Sequence, residues 1–188
     1  ILTKEFKNRF KLITVRRTTK GQANTCLLAK KYLKKNDKIF IHSCDSLIDF
    51  DKKNLKKDFN KFEGIIYTTR PNKVHISNIK SYGWVNIKKN KIHRITCKNK
   101  ASPFPKKDFV IIGSFAFKNK DTFLKLIRNL FKSRQTINNE YYLDMVFKLA
   151  IENNHKIKNV KVKKYFSWGT PNELFIWMKK FRVKSDYE

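Results

Sequence analysis

The sequence predicts an α/β chain. Short β-rich apolar runs alternate with helix-length segments along it. Only five glycines and four prolines interrupt it, and a hydrophobic fraction of 40% with 14% aromatic residues is enough for a packed core despite a mean hydropathy of −0.60. With 188 residues the chain is expected to form a single domain, 1–188, rather than two.

KLITV reads as the first strand, followed by a helix from about Gly21 to Lys35. Ala23, Leu27, Leu28 and Tyr32 recur there at helical spacing with lysines opposite, as in a crossover helix packed on a parallel sheet. KIFIHS and EGIIYTT are the next strands. SYGWVNI and IHRITC flank the polar turn KKNK and form a hairpin, which makes the sheet mixed. FVIIGSFAF is a further strand. Two helices follow, Asp121 to Lys132 and Asn139 to Asn153, the second with Asn138-Asn139 as a plausible cap. A strand from Ile157 to Val162 leads to YFSWGTPNEL, where Pro171 suits the first turn of a last helix running to about Phe181. The final RVKSDYE reads as a frayed end.

Forty-four Lys and Arg against fifteen Asp and Glu give a formal net charge of +29. Such a field favours nucleic acid, anionic membranes or phosphate-rich ligands. The lysines, however, are scattered in pairs such as Lys30-Lys31 and Lys179-Lys180 among many Asn, Ile and Phe, a pattern that AT-rich coding also produces. Cys26, Cys44 and Cys97 are odd in number and show no paired short spacing, so neither a disulfide framework nor a zinc knuckle is indicated, and a reducing cytoplasm fits. His42, His75, His93 and His155 make no ligand set and read as surface or packing residues. No apolar run reaches the roughly 20 residues that span a bilayer. The first residues do not resemble a signal peptide, and the initial Ile suggests a chain that begins inside a longer protein.

In KIFIHSCDSLIDFD an apolar strand ends at Asp45. Ligands of open α/β sheets bind at such carboxyl ends. A carboxylate there can hold a divalent cation that bridges phosphate oxygens, and it equally fits a helix cap or a turn. Asp49 and Asp51 read as the start of a surface helix.

The order of blocks TTKGQANTCLLAKKYL, IFIHSCDS, SYGWVNIKKNKIHRITCKNKAS, FVIIGSFAF, NEYYLDMV and FSWGTPNEL resembles the sugar-phosphate nucleotidyltransferases that make activated sugars for surface polysaccharides. The resemblance runs from about Thr18 to Leu174. It implies a Rossmann-like three-layer αβα (GT-A-like) fold with a mixed, mainly parallel sheet. It further implies transfer of a nucleotidyl group from a nucleoside triphosphate to a sugar 1-phosphate with pyrophosphate release, and magnesium as cofactor. By position, Gly21 and Gln22 match the loop near the nucleotide base, and Asp45 the catalytic aspartate that binds the metal. Tyr82 and Gly83 match a Tyr-Gly step against the sugar, Lys98 a lysine near the sugar phosphate, and Glu140 an acid near the sugar hydroxyls. Read without the resemblance, Tyr82-Gly83 is a strand aromatic and a bulge, and Glu140 a helix-start carboxylate. Cys97 stands where the family has glutamate, and Ser167 where many members have a second metal aspartate. The Gly-rich loop that wraps the triphosphate, with its strand and helix, is not in the sequence, so activity is expected of a longer parent. A glycosyltransferase of related fold, an inactive remnant, or a basic nucleic-acid-binding protein are the competing readings. A homo-oligomer is compatible with the sequence.

Overall fold

The computed structural model describes residues 10–181. Its strands are β1 (Ile39–His42), β2 (Ser46–Asp49), β3 (Gly64–Thr69), β4 (Gly83–Lys88), β5 (Lys91–Cys97), β6 (Phe109–Phe117), β7 (Ile157–Lys161) and β8 (Lys164–Ser167). Its α-helices are α1 (Gln22–Leu27), α2 (Leu55–Lys61), α3 (Lys73–Ser77), α4 (Lys120–Ser133), α5 (Leu143–Glu152) and α6 (Pro171–Phe181). The main sheet runs β5-β4-β6-β3-β7, with β1 also on β6, while β2 and β8 form a separate two-stranded ribbon.

β6 organises this sheet. One of its edges pairs with β3, from Gly64↔Phe117 to Thr69↔Val110. Its other edge is shared: β1 takes the carboxyl-terminal part from Ile39↔Phe117 to His42↔Ser114, and β4 takes Trp84↔Val110 and Val85↔Phe109. The nine-residue apolar run FVIIGSFAF makes this possible, because alternate side chains enter opposite layers. Ile111, Phe115 and Phe117 join the core beneath α4 and α5. Ile112 and Ala116 join Phe59, Ile65 and Tyr67 on the other side. Three layers result, with α4 and α5 on one face of the sheet and α2 with the β2/β8 ribbon on the other.

The sheet is mixed, as the hairpin required, but the balance differs from expectation. Of its ladders only β3/β7 is parallel. Strand-helix alternation does set β1, β3, β4 and β7 in one direction; β6 then inserts between them in the opposite sense, so its three ladders are antiparallel. The turn after β4 carries Lys89 and Asn90 at positive φ, 48° and 60°, which matches the twist of a two-residue hairpin.

Other local expectations change for physical reasons. KLITV is not a strand: Leu12 is 72% exposed and Val15 51%, and no described strand runs alongside to pair with it. The helix expected to Lys35 is α1 followed by a 3-10 segment, Leu28–Tyr32, and it packs on α5 rather than on a parallel sheet. Ala23 is buried there, whereas Leu28 and Tyr32 are exposed. α5 begins at Leu143, not Asn139, because Asn138 and Asn139 adopt φ of 51° and 61° in a tight turn closed by the Ile137–Glu140 bridge. Asp49 lies in β2 opposite Lys164, and Asp51 accepts from the Lys53 N–H at 2.9 Å. RVKSDYE, residues 182–188, falls outside the described residues. No described helix is long and apolar enough to cross a membrane.

Phe147 is fully buried and stacks on Phe115 at 5.3 Å and Phe117 at 5.0 Å. Phe147→Ala is expected to destabilise by about 3–5 kcal/mol in urea denaturation. Phe104→Ala, at a residue 65% exposed, is expected to stay within about 0.5 kcal/mol.

Candidate active site

The cleft lies where β1 and β4 part. Both run along the same edge of β6, β1 ending as β4 begins, and between them Ile111, Ile112 and Gly113 of β6 floor a cavity of about 320 Å³. Gly113 has φ +69°, a left-handed conformation that bends β6 here, and an added Cβ would stand 3.0 Å from Ser43 Oγ. The Ser43 N–H donates to the Gly113 carbonyl at 3.2 Å and carries the chain out of β1 into the turn that bears Asp45.

That turn is held on several sides. His42 Nε2 donates to the Ser46 carbonyl at 2.8 Å while Nδ1 meets the Ser114 hydroxyl at 2.7 Å. The Ser43 and Ser46 hydroxyls lie 3.0 Å apart. The Trp168 N–H donates to the Asp45 carbonyl at 3.0 Å, and the register Ser46↔Ser167 sets Ser167 beside it. Gly169 completes the seat: a Cβ there would lie 2.7 Å from Asp45 Oδ2, so only glycine leaves room for the carboxylate.

Gly21, Gln22 and Glu140 come together by backbone pairing. Tyr141 N–H donates to the Lys20 carbonyl and Ala23 N–H to the Tyr141 carbonyl, each at 2.9 Å. Gly21, at φ +93°, has the Tyr141 backbone 2.7 Å from where a Cβ would stand. A second cavity of about 590 Å³, lined by Gly21, Gln22, Asp45 and Glu140, adjoins the first and shares Gln22, Ser43, Asp45, Gly113 and Tyr142 with it.

Lys98 and Glu140 are linked through Tyr142. The Lys98 ammonium sits 4.6 Å from the Tyr142 ring centre, and the Tyr142 hydroxyl donates to Glu140. Hydrogen bonding to Tyr142 raises the Lys98 pKa. Tyr82 borders the first cavity, with the His75 ring edge-on at 4.7 Å, and burial raises the pKa of its hydroxyl. His75 is itself buried and closes a capping box with Asn72 at the start of α3. Gly83 is not at a bulge: it pairs directly with Cys97, and the register shift comes later, between Asn86 and Ile87.

Asp144 was not singled out in the sequence, although it is a lone acid in the apolar run YYLDMVFKLAI. From the first turn of α5 it reaches over the Gly83↔Cys97 pair, into space open only because residue 83 has no side chain: a Cβ there would be 2.0 Å from Asp144 Oδ2. Desolvation pushes its pKa up to about 7, against the opposing effects of the Cys97 thiol, its own amide and the Lys98 charge. Burial, and secondarily Asp144, pushes the Cys97 thiol up as well.

All seven residues expected at a site, Gly21, Gln22, Asp45, Tyr82, Gly83, Lys98 and Glu140, therefore border these two adjoining cavities. Among the described residues no three His, Cys, Asp or Glu side chains gather as a metal cage. Asp45 is one open carboxylate with the Ser43 and Ser167 hydroxyls around the same cavity. That donor set fits magnesium only where phosphate oxygens and water complete the shell, the usual manner in which this ion is held at phosphoryl-transfer sites.

The sequence profile of the family described as Nucleotidyl transferase matches residues 3–180. The chain belongs to that family. No curated protein matches it. Among solved structures, it is similar to a nucleoside-diphosphate-sugar pyrophosphorylase from Vibrio cholerae, at TM-score 0.67 and 17% identity over 88% of this chain and 67% of that one. It is also similar to the inositol-1-phosphate CTP transferase from T. maritima, at TM-score 0.66 and 15% identity over 96% and 70%. A UDP-glucose pyrophosphorylase complexed with UDP-glucose gives TM-score 0.67 and 14% identity over 89% and 64%. At such identities the likeness is one of fold, and the chain spans about two thirds of the length of these solved chains.

An Asp144 pKa raised in the folded state means that the native protein holds a proton the unfolded chain releases, so stability falls as pH rises from about 4 through about 7. Asp144→Asn removes that ionisation. Its melting temperature relative to the unsubstituted protein is expected to be higher at pH 8 than at pH 5; a pH-independent difference contradicts the assignment.

Proposed function

We propose that the protein carrying this chain transfers a nucleotidyl group from a nucleoside triphosphate to a sugar 1-phosphate, or a similar phosphorylated small molecule, and releases pyrophosphate. The observation that carries this reading is the convergence on one pair of cavities of residues scattered from Gly21 to Glu140, with Asp45 bordering both. Family membership supports the reaction class, and the names of the structural neighbours support a sugar- or polyol-phosphate acceptor. Use in surface-polysaccharide synthesis, within the cytoplasm, is the setting we assign to it.

In this reading Gly21 and Gln22 lie toward the base, where glycine permits close approach and the amide can read the base edge. Tyr82, Gly83, Lys98 and Glu140 hold the acceptor. Lys98, tethered through Tyr142 to Glu140, offsets charge on the acceptor phosphate, whose oxygen attacks the α-phosphorus in line with the departing pyrophosphate. No covalent intermediate on the protein is needed. Asp45, with the Ser43 and Ser167 hydroxyls beside the same cavity, would hold magnesium; when bound, the ion would supply neutralisation of the charge that develops on the transferring group. Ser167, in the place of a second aspartate, leaves Asp45 as the principal protein ligand.

Pyrophosphate release by the protein in its full natural length, measured over a panel of triphosphates and sugar 1-phosphates with magnesium, tests the proposal. Asp45→Ala is expected to lower kcat at least about 100-fold, in keeping with several kcal/mol of charge stabilisation. Lys98→Met is expected to raise KM for the sugar phosphate more than for the triphosphate. Unchanged turnover in Asp45→Ala sinks the assignment.

A further inference from the structure

The cavity between β1 and β4 is chemically unlike the rest of the molecule. The sequence holds 44 basic and 15 acidic residues, yet this cavity is bordered by three acids, Asp45, Asp144 and Glu173, and by one base, Lys98. Hydroxyls make up most of the remaining polar lining, from Ser43, Tyr82, Tyr165, Ser167 and Thr170 among others. A wall of carboxylates and hydroxyls repels a polyphosphate. It suits a neutral, hydroxyl-rich body that carries one phosphate near the single lysine.

The three acids are not equivalent. Glu173 is occupied in capping α6, where it accepts from the Thr170 N–H at 3.1 Å and the Thr170 hydroxyl at 3.0 Å. Asp45 belongs to the turn against Gly169 and to the boundary between the two cavities. Asp144 is half-buried and borders the cavity, with the Cys97 thiol in hydrogen-bond contact and the charge of Lys98 nearby. A carboxyl group keeps acceptor capacity whether or not it holds its proton, and a thiol is a weak donor that leaves that capacity largely unused. The carboxyl lies over the backbone of Gly83, whose lack of a side chain opens the space it fills, beside the Cys97 paired with that glycine.

We infer that Asp144 is a specificity-determining residue that accepts a hydrogen bond from a hydroxyl of the sugar or polyol part of the acceptor, held over the Gly83↔Cys97 pair. This deepens the proposed function and rests on it. A buried acceptor deprived of its hydroxyl partner is strongly penalised, so the residue discriminates by the position of one hydroxyl.

Calorimetric titration of the protein in its full natural length with a panel of hexose 1-phosphates and myo-inositol 1-phosphate, and with the best binder's monodeoxy analogues, tests this. The unsubstituted chain is expected to bind one monodeoxy analogue about 10- to 100-fold more weakly than the parent compound. In Asp144→Ala the parent is expected to weaken by a similar factor, so that the two ligands become equal, while Asp144→Asn, whose amide oxygen still accepts, keeps part of the preference and inorganic phosphate binds both variants within about twofold of the original. Circular dichroism melts of both variants establish that they fold. If Asp144→Ala retains the same deoxy preference, Asp144 is not the selector, and the nucleotidyltransferase reading stands. If no member of the panel binds the unsubstituted full-length protein, that reading falls and the inference with it.

Discussion

Everything at the candidate site depends on how one strand divides its edge. β6 lends its carboxyl-terminal part to β1 and its first residues to β4, and the three-residue interval left between them is the floor of the cleft. Backbone hydrogen bonding would normally continue along such an edge. Here the left-handed turn at Gly113 interrupts it and the departing Ser43 amide caps it, so the interruption is stable and not a frayed gap. The apolar alternation of β6 anchors it in two cores at once, which fixes the cleft from beneath.

On that floor, charged groups are seated by what their neighbours lack. Asp45 fits against Gly169 and Asp144 against Gly83, each where a methyl group would collide. Close backbone approach of this kind trades conformational freedom for placement of a carboxylate without a long side chain. It also keeps both acids at the cavity wall, which Tyr82 and Tyr165 border as well. Burial accounts for the upward displacement of the Asp144, Tyr82 and Cys97 ionisations, because the ionised form of each is the one that most needs the water it has lost.

Much of this was legible in the sequence. Strand lengths, the hairpin turn and the long last helices follow from period and turn chemistry, and the ordered blocks pointed to the residues now found bordering the cavities. Strand direction was not, because alternation of strands and helices cannot reveal that β6 inserts between strands of the opposite sense. KLITV failed as a strand since β propensity expresses a fit to partners, and none of the described strands supplies one. Asn138-Asn139 looked like a helix cap; both residues tolerate left-handed backbone as readily, and the turn took them. Asp144 was hidden for another reason. In one dimension it is an acid in a helix, and only the Gly83↔Cys97 register shows the space beneath it.

The division of β6 also constrains how this site can change over evolutionary time. Asp45 follows β1 and Gly83 opens β4, so the two are spaced by backbone register on a common strand and not by the reach of loops. Insertions and substitutions at the periphery leave that interval untouched. A lineage that adopts a different acceptor must therefore do so by exchanging wall residues, one at a time, on a ruler whose length is already set.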